Sequence, residues 1–181
     1  MSNIIIIMEN ILIEKEQKLS YGYLYKSCLE YFDGDELAAT TWMNKYAMKN
    51  KDGEFVEQTP DDMHKRMSKQ FSKIEKKYKE SSINLNGKST LLSEYGQRRG
   101  ELTEKKIYSY FKDFKYIIPQ GSVMSCLGND YILGSLSNCI VLPKLYDSYG
   151  GICYADQQLT HLYKRRCGVG LCLSTLRPKS A

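Results

Sequence analysis

Residues 136–173 read LSNCIVLPKLYDSYGGICYADQQLTHLYKRRCGVGLCL, and the hydrophobic pattern of this stretch changes period twice. Leu136 to Leu142 is an apolar run of strand length. Ser148 to Arg166 has helical spacing, with Ile152, Leu159, Leu162 and Tyr163 predicted inward, and Lys164, Arg165 and Arg166 at the end where cations favour the helix dipole. Gly168-Val169-Gly170-Leu171-Cys172-Leu173 then reads as a short buried strand. The unit is strand–helix–strand, which makes the fold class α/β.

Just upstream, Tyr116-Ile117-Ile118-Pro119 reads as extended chain, and Gln120-Gly121-Ser122 and Gly128-Asn129-Asp130 as turns. Before residue 116 the pattern is helical. Tyr21, Leu24, Tyr25, Cys28, Leu29 and Phe32 recur at helical spacing, Asp33-Gly34 stops that helix, and Asp35 can cap the next, which carries Leu37, Ala38, Thr41, Trp42 and Tyr46. Thr59-Pro60-Asp61-Asp62 opens a third helix with an apolar stripe of Met63, Met67, Phe71, Ile74 and Tyr78. Residues 80–101 are polar and turn-rich and read as a loop or insertion, with Arg98 and Arg99 exposed. Leu102-Thr103 starts a further helix, with Leu102 stapled to Ile107, a buried face of Ile107, Tyr110, Phe111 and Phe114, and Lys115 at its close. The expected organisation is a helical region over 1–115 and the α/β part over 116–181.

The chain has 181 residues and a mass of 20.9 kDa, enough for one domain with a small appendage and short for an enzyme needing a barrel or two lobes. With 42% hydrophobic and 26% charged residues and a mean hydropathy of −0.47, overall disorder is excluded. The longest aliphatic run, Ile4–Ile7, is far too short to cross a membrane and lacks the flanks of a signal peptide, so a cytoplasmic location is expected. The net charge of +5 and pI near 8.7 fit either a solvated surface or a phosphate-bearing partner. Direct nucleic-acid binding is not expected, because the aromatic residues, 15 tyrosines among them, are predicted on buried helical faces rather than on a basic patch.

Six cysteines at 28, 126, 139, 153, 167 and 172 form no CxxC pair, and His64 and His161 fit no zinc spacing, so no metal is expected. Most of the thiols read as small buried hydrophobes. Cys139 admits a second reading, a redox or nucleophilic thiol, because Ser137-Asn138 precede it and a loop bearing Ser122 and Ser125 lies upstream. Those hydroxyls and nearby N–H groups could hold a diphosphate, or simply satisfy their own turn. Gly168-Val169-Gly170 at a helix-to-strand junction allows a backbone to approach a ligand, and Arg177 seven residues later suits phosphate.

These phrases in order resemble a known family. Ser137-Asn138-Cys139, Asp147-Ser148, Lys164-Arg165-Arg166-Cys167-Gly168-Val169-Gly170-Leu171 and Leu176-Arg177-Pro178-Lys179 are similar to the large catalytic chain of ribonucleotide reductases, closest to the adenosylcobalamin-dependent class. Upstream, Tyr31-Phe32-Asp33-Gly34-Asp35-Glu36-Leu37-Ala38-Ala39, Lys45-Tyr46-Ala47 and Phe114 to Ser122 extend the likeness over about residues 20–181, with 80–101 the poor stretch.

The resemblance implies N-terminal helices followed by a ten-stranded α/β barrel, of which 116–181 would be the incomplete first part. It implies an oxidoreductase of deoxyribonucleotide synthesis for DNA replication, in which a thiyl radical removes the 3′ hydrogen of a ribonucleotide and two further thiols reduce C2′. Cys139 matches the first of those redox thiols. The second, and the radical cysteine, would lie beyond Ala181, so the chain alone is expected to be inactive.

Ser122, Ser125, Asn138 and Gly168 match substrate-binding positions. Asp147, Ser148 and Arg177 match the site of an allosteric dNTP effector. The implied cofactor is adenosylcobalamin, held mainly by the missing part. The implied partners are a complementary C-terminal chain and a second copy in a homodimer, with no membrane. No ATP-cone-like segment is seen before the helices, so no overall activity switch is expected. Cys167 stands where the family usually has Gly, and Cys126 and Cys172 where no thiol is expected. The alternative is a truncated, non-catalytic relative that binds nucleotide or a reductase subunit.

Overall fold

The computed structural model describes residues 20–81 and 93–181, and the chain divides into two compact units, Met1–Ile118 and Pro119–Ala181. In the first unit the described residues form helices. Helix α1 (Tyr21–Tyr31) starts at Ser20, whose hydroxyl accepts from the Tyr23 N–H, and buries Leu24 and Cys28. It ends where Asp33 and Gly34 take positive φ (52° and 92°) and the Gly34 N–H donates to the Leu29 carbonyl. Helix α2 (Glu36–Lys45) begins at Asp35, which accepts from the Ala38 N–H at 2.9 Å, as its sequence predicts. It packs on α1 through Ala39, Trp42 and Met43, while Leu37 is 77% exposed.

A turn at Gly53 (φ 84°) brings Phe55 opposite Lys49 and delivers Glu57 to the interior. Glu57 accepts from Arg66 Nε at 2.6 Å and from the Met48 N–H at 2.9 Å, an ion pair with both side chains buried.

Helix α3 (Pro60–Ser81) is the longest element. The Asp62 carboxylate reaches back to accept from the Gln58 and Thr59 N–H groups, closing its first turn. The expected stripe is only half right. Met63 and Met67 are fully buried, but Ile74 and Tyr78 are exposed, and the buried face continues through His64, Ser68 and Ser72 instead. The reason is length. Helix α5 (Glu104–Phe111), which packs against α3, has 8 residues and spans about 12 Å, roughly a third of the 22-residue α3.

Thr103 caps α5, and Ile107 and Phe111 are buried as predicted, whereas Tyr110 is only half-buried. The expected loop over 80–101 falls largely outside the described residues. Its described end contains a short helix, α4 (Glu94–Arg98). Arg98 is exposed, but Arg99 is not fully so, because it pairs with Glu75 of α3.

After α5 a 3₁₀ turn, Lys112–Phe114, replaces the simple helix end expected at Lys115. Asp113 and Phe114 both hold positive φ (56° and 54°), a conformation that costs non-glycine residues roughly 1–2 kcal/mol each. Phe114 is held there by a stack on Phe32 (6.2 Å) and an edge contact with His64 (4.6 Å).

His64 is fully buried, and neither ring nitrogen has a hydrogen-bond partner among the described residues. Burial pushes its pKa below the ordinary 6.5, against the opposing pull of Asp61 and Asp113. The unfolded chain therefore takes up a proton near pH 6.5 that the native unit refuses, so stability is complete above that pH and falls as pH drops below it. Asp61 titrates well outside this window. Burial would raise its carboxyl, but the Lys65 ammonium and the Tyr108 hydroxyl hold it below 3.8. Urea unfolding followed by the single tryptophan, Trp42, should show a lower midpoint at pH 5.5 than at pH 7.5. A His64→Phe variant should show a smaller drop, and an identical drop in both proteins would count against His64 as the source.

The second unit begins with α6 (Gly121–Cys126). The turn expected at Gln120-Gly121-Ser122 is in fact the first turn of this helix, its Val123 and Met124 N–H groups both bonding the Gln120 carbonyl. Strand β1 (Cys139–Val141), helix α7 (Tyr149–Lys164) and strand β2 (Gly168–Gly170) follow. β1 and β2 pair in parallel with Cys139 opposite Gly168, Ile140 opposite Val169 and Val141 opposite Gly170.

Both strands are shorter and more exposed than the apolar runs predict: Val141 is 77% and Leu173 60% exposed. Helix α7 fully buries only Ala155, with Leu159 and Leu162 half-buried and Ile152 and Tyr163 exposed. Parallel strands bury both faces only when neighbouring strands and helices cover them, and two strands with one helix supply too little cover. No described helix is long and apolar enough to cross a membrane.

Candidate functional site

Two groups of predicted residues meet within the second unit. The first gathers around Cys139, the opening residue of β1, which is exposed and free. Asn138 precedes it and makes two short bonds: its backbone carbonyl accepts from the Gly168 N–H at 2.6 Å, and its side-chain Oδ1 accepts from the Ser122 N–H at 2.7 Å. Gly168 has close neighbours here. A Cβ at that position would lie 3.1 Å from the Asn138 carbonyl oxygen and 3.2 Å from the Cys139 sulfur. Ser122 is buried in the first turn of α6, and the Ser125 hydroxyl donates to the Gly121 carbonyl at 2.9 Å. Cys139, Asn138, Gly168 and Ser122 thus form one connected cluster, with Ser125 one turn further along α6.

The second group lies at the start of α7. Ser148 is its N-cap and accepts from the Gly151 N–H at 3.0 Å. Arg177 Nε donates to Asp147 Oδ2 at 2.6 Å, and a second guanidinium nitrogen donates to the Asp147 carbonyl at 3.3 Å. The tail carrying Arg177 is tied back by Thr175, whose hydroxyl donates to the Leu145 carbonyl at 2.7 Å. These residues, with Tyr149, Ile152 and Leu176, line a cleft of about 380 Å³. Its chemistry suits a polar, anionic ligand: a guanidinium for phosphate, a carboxylate for hydroxyls, and the exposed ring of Tyr149 as a flat apolar face. Tyr149, Ile152 and Leu176 are not among the site residues the sequence suggests, although Leu176 belongs to the Leu176-Arg177-Pro178-Lys179 motif. All three lie within five residues of Asp147 or Arg177, which was the available signal.

The cysteines divide evenly rather than being mostly buried. Cys28, Cys126 and Cys167 are buried, and Cys139, Cys153 and Cys172 are exposed. The Cys28 thiol donates to the Gln58 carbonyl, and burial raises its pKa to about 11. The Cys126 sulfur fills the space against Gly134, where a Cβ would collide with it. Cys167 is 2% exposed and its thiol donates to the Gly168 carbonyl, so its bulk is accommodated in the interior. Cys172, expected within a buried strand, lies beyond the end of β2 with its sulfur 3.0 Å from the Ser174 hydroxyl, a contact that lowers its pKa. Among the described residues no cluster of three or more His, Cys, Asp or Glu could hold a metal ion.

A helical domain followed by a β–α–β unit with a strand-borne thiol and an Asp–Arg cleft is the frame in which the comparisons with known proteins fall. The family model for the ribonucleotide reductase all-alpha domain matches residues 32–130, more than half of the chain. The chain belongs to that family, that of the N-terminal domain of the ribonucleotide reductase large subunit. No curated protein and no solved structure matches it.

Proposed function

We propose that this chain is the N-terminal segment of a ribonucleotide reductase that converts ribonucleotides to deoxyribonucleotides by thiyl-radical chemistry, with residues 116–181 as the first part of its α/β barrel. The meeting of Cys139, Asn138, Gly168 and Ser122, drawn from three sequence-distant stretches, is the observation that carries this reading. Cys139 supplies one of two thiols. Their oxidation to a disulfide delivers the two electrons that reduce C2′, and the 2′-hydroxyl leaves as water. Ser122, Ser125, Asn138 and Gly168 border the substrate and its phosphates. Asp147, Ser148 and Arg177 take the dNTP effector, whose site is completed by a second copy of the chain.

On this reading the second thiol and the radical site belong to the C-terminal part of the barrel, without which residues 1–181 do not turn over. Adenosylcobalamin is the radical source of the class most resembled. The cleft of about 380 Å³ beside Asp147 and a second of about 400 Å³ beside Lys65 and Tyr108 are at the small end for a drug-sized ligand and do not fit a corrin.

The test mixes the chain with the C-terminal barrel portion of an adenosylcobalamin-dependent reductase, the cofactor and a dithiol reductant. Deoxyribonucleotide formation above that of either part alone is expected. Nucleotide binding with no turnover in any such mixture would favour the truncated, non-catalytic alternative.

A further inference from the structure

Asn138 touches both sides of the cluster with different groups. Its backbone carbonyl receives the Gly168 N–H and so pins the entry of β1 to β2. Its side chain reaches sixteen residues upstream to the Ser122 N–H in the first turn of α6. A backbone N–H can only donate, so the carboxamide must present its oxygen, and the orientation of the amide follows from its partner. Ser122 is 8% exposed, which shields this bond from competing water. Cys139 is one peptide bond away, and Gly168 leaves only the room that the Asn138 carbonyl and the Cys139 sulfur require. A shift of α6 would therefore reach the thiol through Asn138.

We propose that Asn138 is a positioning residue: its side chain fixes the Ser122–Ser125 turn of α6 relative to the Cys139 thiol, acting through the Ser122 N–H. The significance of that spacing rests on the reductase reading, in which the turn borders the substrate phosphates and the thiol reduces its sugar. The coupling itself rests on geometry alone.

The experiment uses the full chain and compares Asn138→Ala with Asn138→Asp, which keeps the shape and the accepting oxygen. Two quantities are followed: hydrogen exchange at the Ser122 amide by NMR, and alkylation of Cys139 by a maleimide. Alkylation is mapped by peptide mass spectrometry against the exposed Cys153 in the same molecule. Asn138→Ala should raise Ser122 exchange about tenfold, the effect of losing one shielded hydrogen bond. It should also raise Cys139 alkylation relative to Cys153.

Asn138→Asp should keep both within about threefold of the parent, the rescue expected when the acceptor is retained. If Asn138→Ala does not fold, Asn138→Ser, too short to span to Ser122, takes its place. Unchanged Ser122 exchange in the truncated variant, or an Asn138→Asp protein as loose as Asn138→Ala, overturns the proposal. Neither readout needs turnover. A failed reconstitution would therefore count against the reductase reading and leave the coupling standing.

Discussion

Cys139→Ser, assayed with the C-terminal barrel portion of the reconstitution, is expected on the proposed reading to lose deoxyribonucleotide formation by about a thousandfold or more, the scale seen when a catalytic group that acts as part of a unit is removed. A hydroxyl has nearly the shape of the thiol but cannot be oxidised to a disulfide, so the reduction of C2′ loses half of its electron source. Nucleotide binding at the Asp147–Arg177 cleft should be unchanged, since no contact there involves the thiol. Cys153→Ser and Cys172→Ser make useful comparisons, because both thiols are exposed and neither lies in the Asn138 cluster. The buried Cys28, Cys126 and Cys167 should instead lose stability on truncation to Ala, about 1–3 kcal/mol for a small side chain. Rates of product formation for each variant decide the matter, and near-normal turnover in Cys139→Ser would remove the thiol assignment.

The second large effect concerns stability. Arg66→Ala should cost about 3–5 kcal/mol, a large part of the total for a domain of this size. Glu57 is 3% exposed and Arg66 8%, and removing the guanidinium leaves a carboxylate out of water, held by the Met48 N–H. Replacing both partners together, Glu57→Leu with Arg66→Met, should be far milder, because the desolvated charges go as well. Urea midpoints read by Trp42 fluorescence test both. A loss under about 1 kcal/mol in Arg66→Ala would mean that the pair is solvated and contributes as a surface pair does.

What the sequence made legible was mostly local. Asp35, Thr103 and Ser148 act as helix caps because capping needs only a short polar side chain and an N–H two or three residues on. The glycine stop at Gly34 follows from backbone sterics alone. The buried faces were harder to read. Leu37, Ile74 and Tyr78 fit a helical period but point to solvent, since which face is covered depends on partners supplied from elsewhere in the chain.

Cys172 was misplaced for the same reason, because an apolar run does not say how many of its residues will find a strand partner. Asp147 entered through family likeness and Arg177 first through its place after Gly168-Val169-Gly170, and no spacing rule brings residues thirty apart into one ion pair. The bond from Asn138 to Ser122 left no trace in the sequence at all. It depends on where α6 comes to rest, which no local period encodes.

The parallel pairing of Cys139 with Gly168 also sets an order of events in time. Helices α1 to α5 all lie upstream of the strand pair and are synthesised before it. The strand pair must close a loop of nearly thirty residues that includes all of α7, and loop-closure entropy must be met before any of its hydrogen bonds form. A newly made chain therefore has its helical region before it has a thiol site. Until β2 arrives, Cys139 has no neighbours from the Gly168 strand and its place in the site is not set. Because Cys139 stays exposed once the strands pair, pairing positions the thiol without screening it, and a reducing medium matters before and after folding.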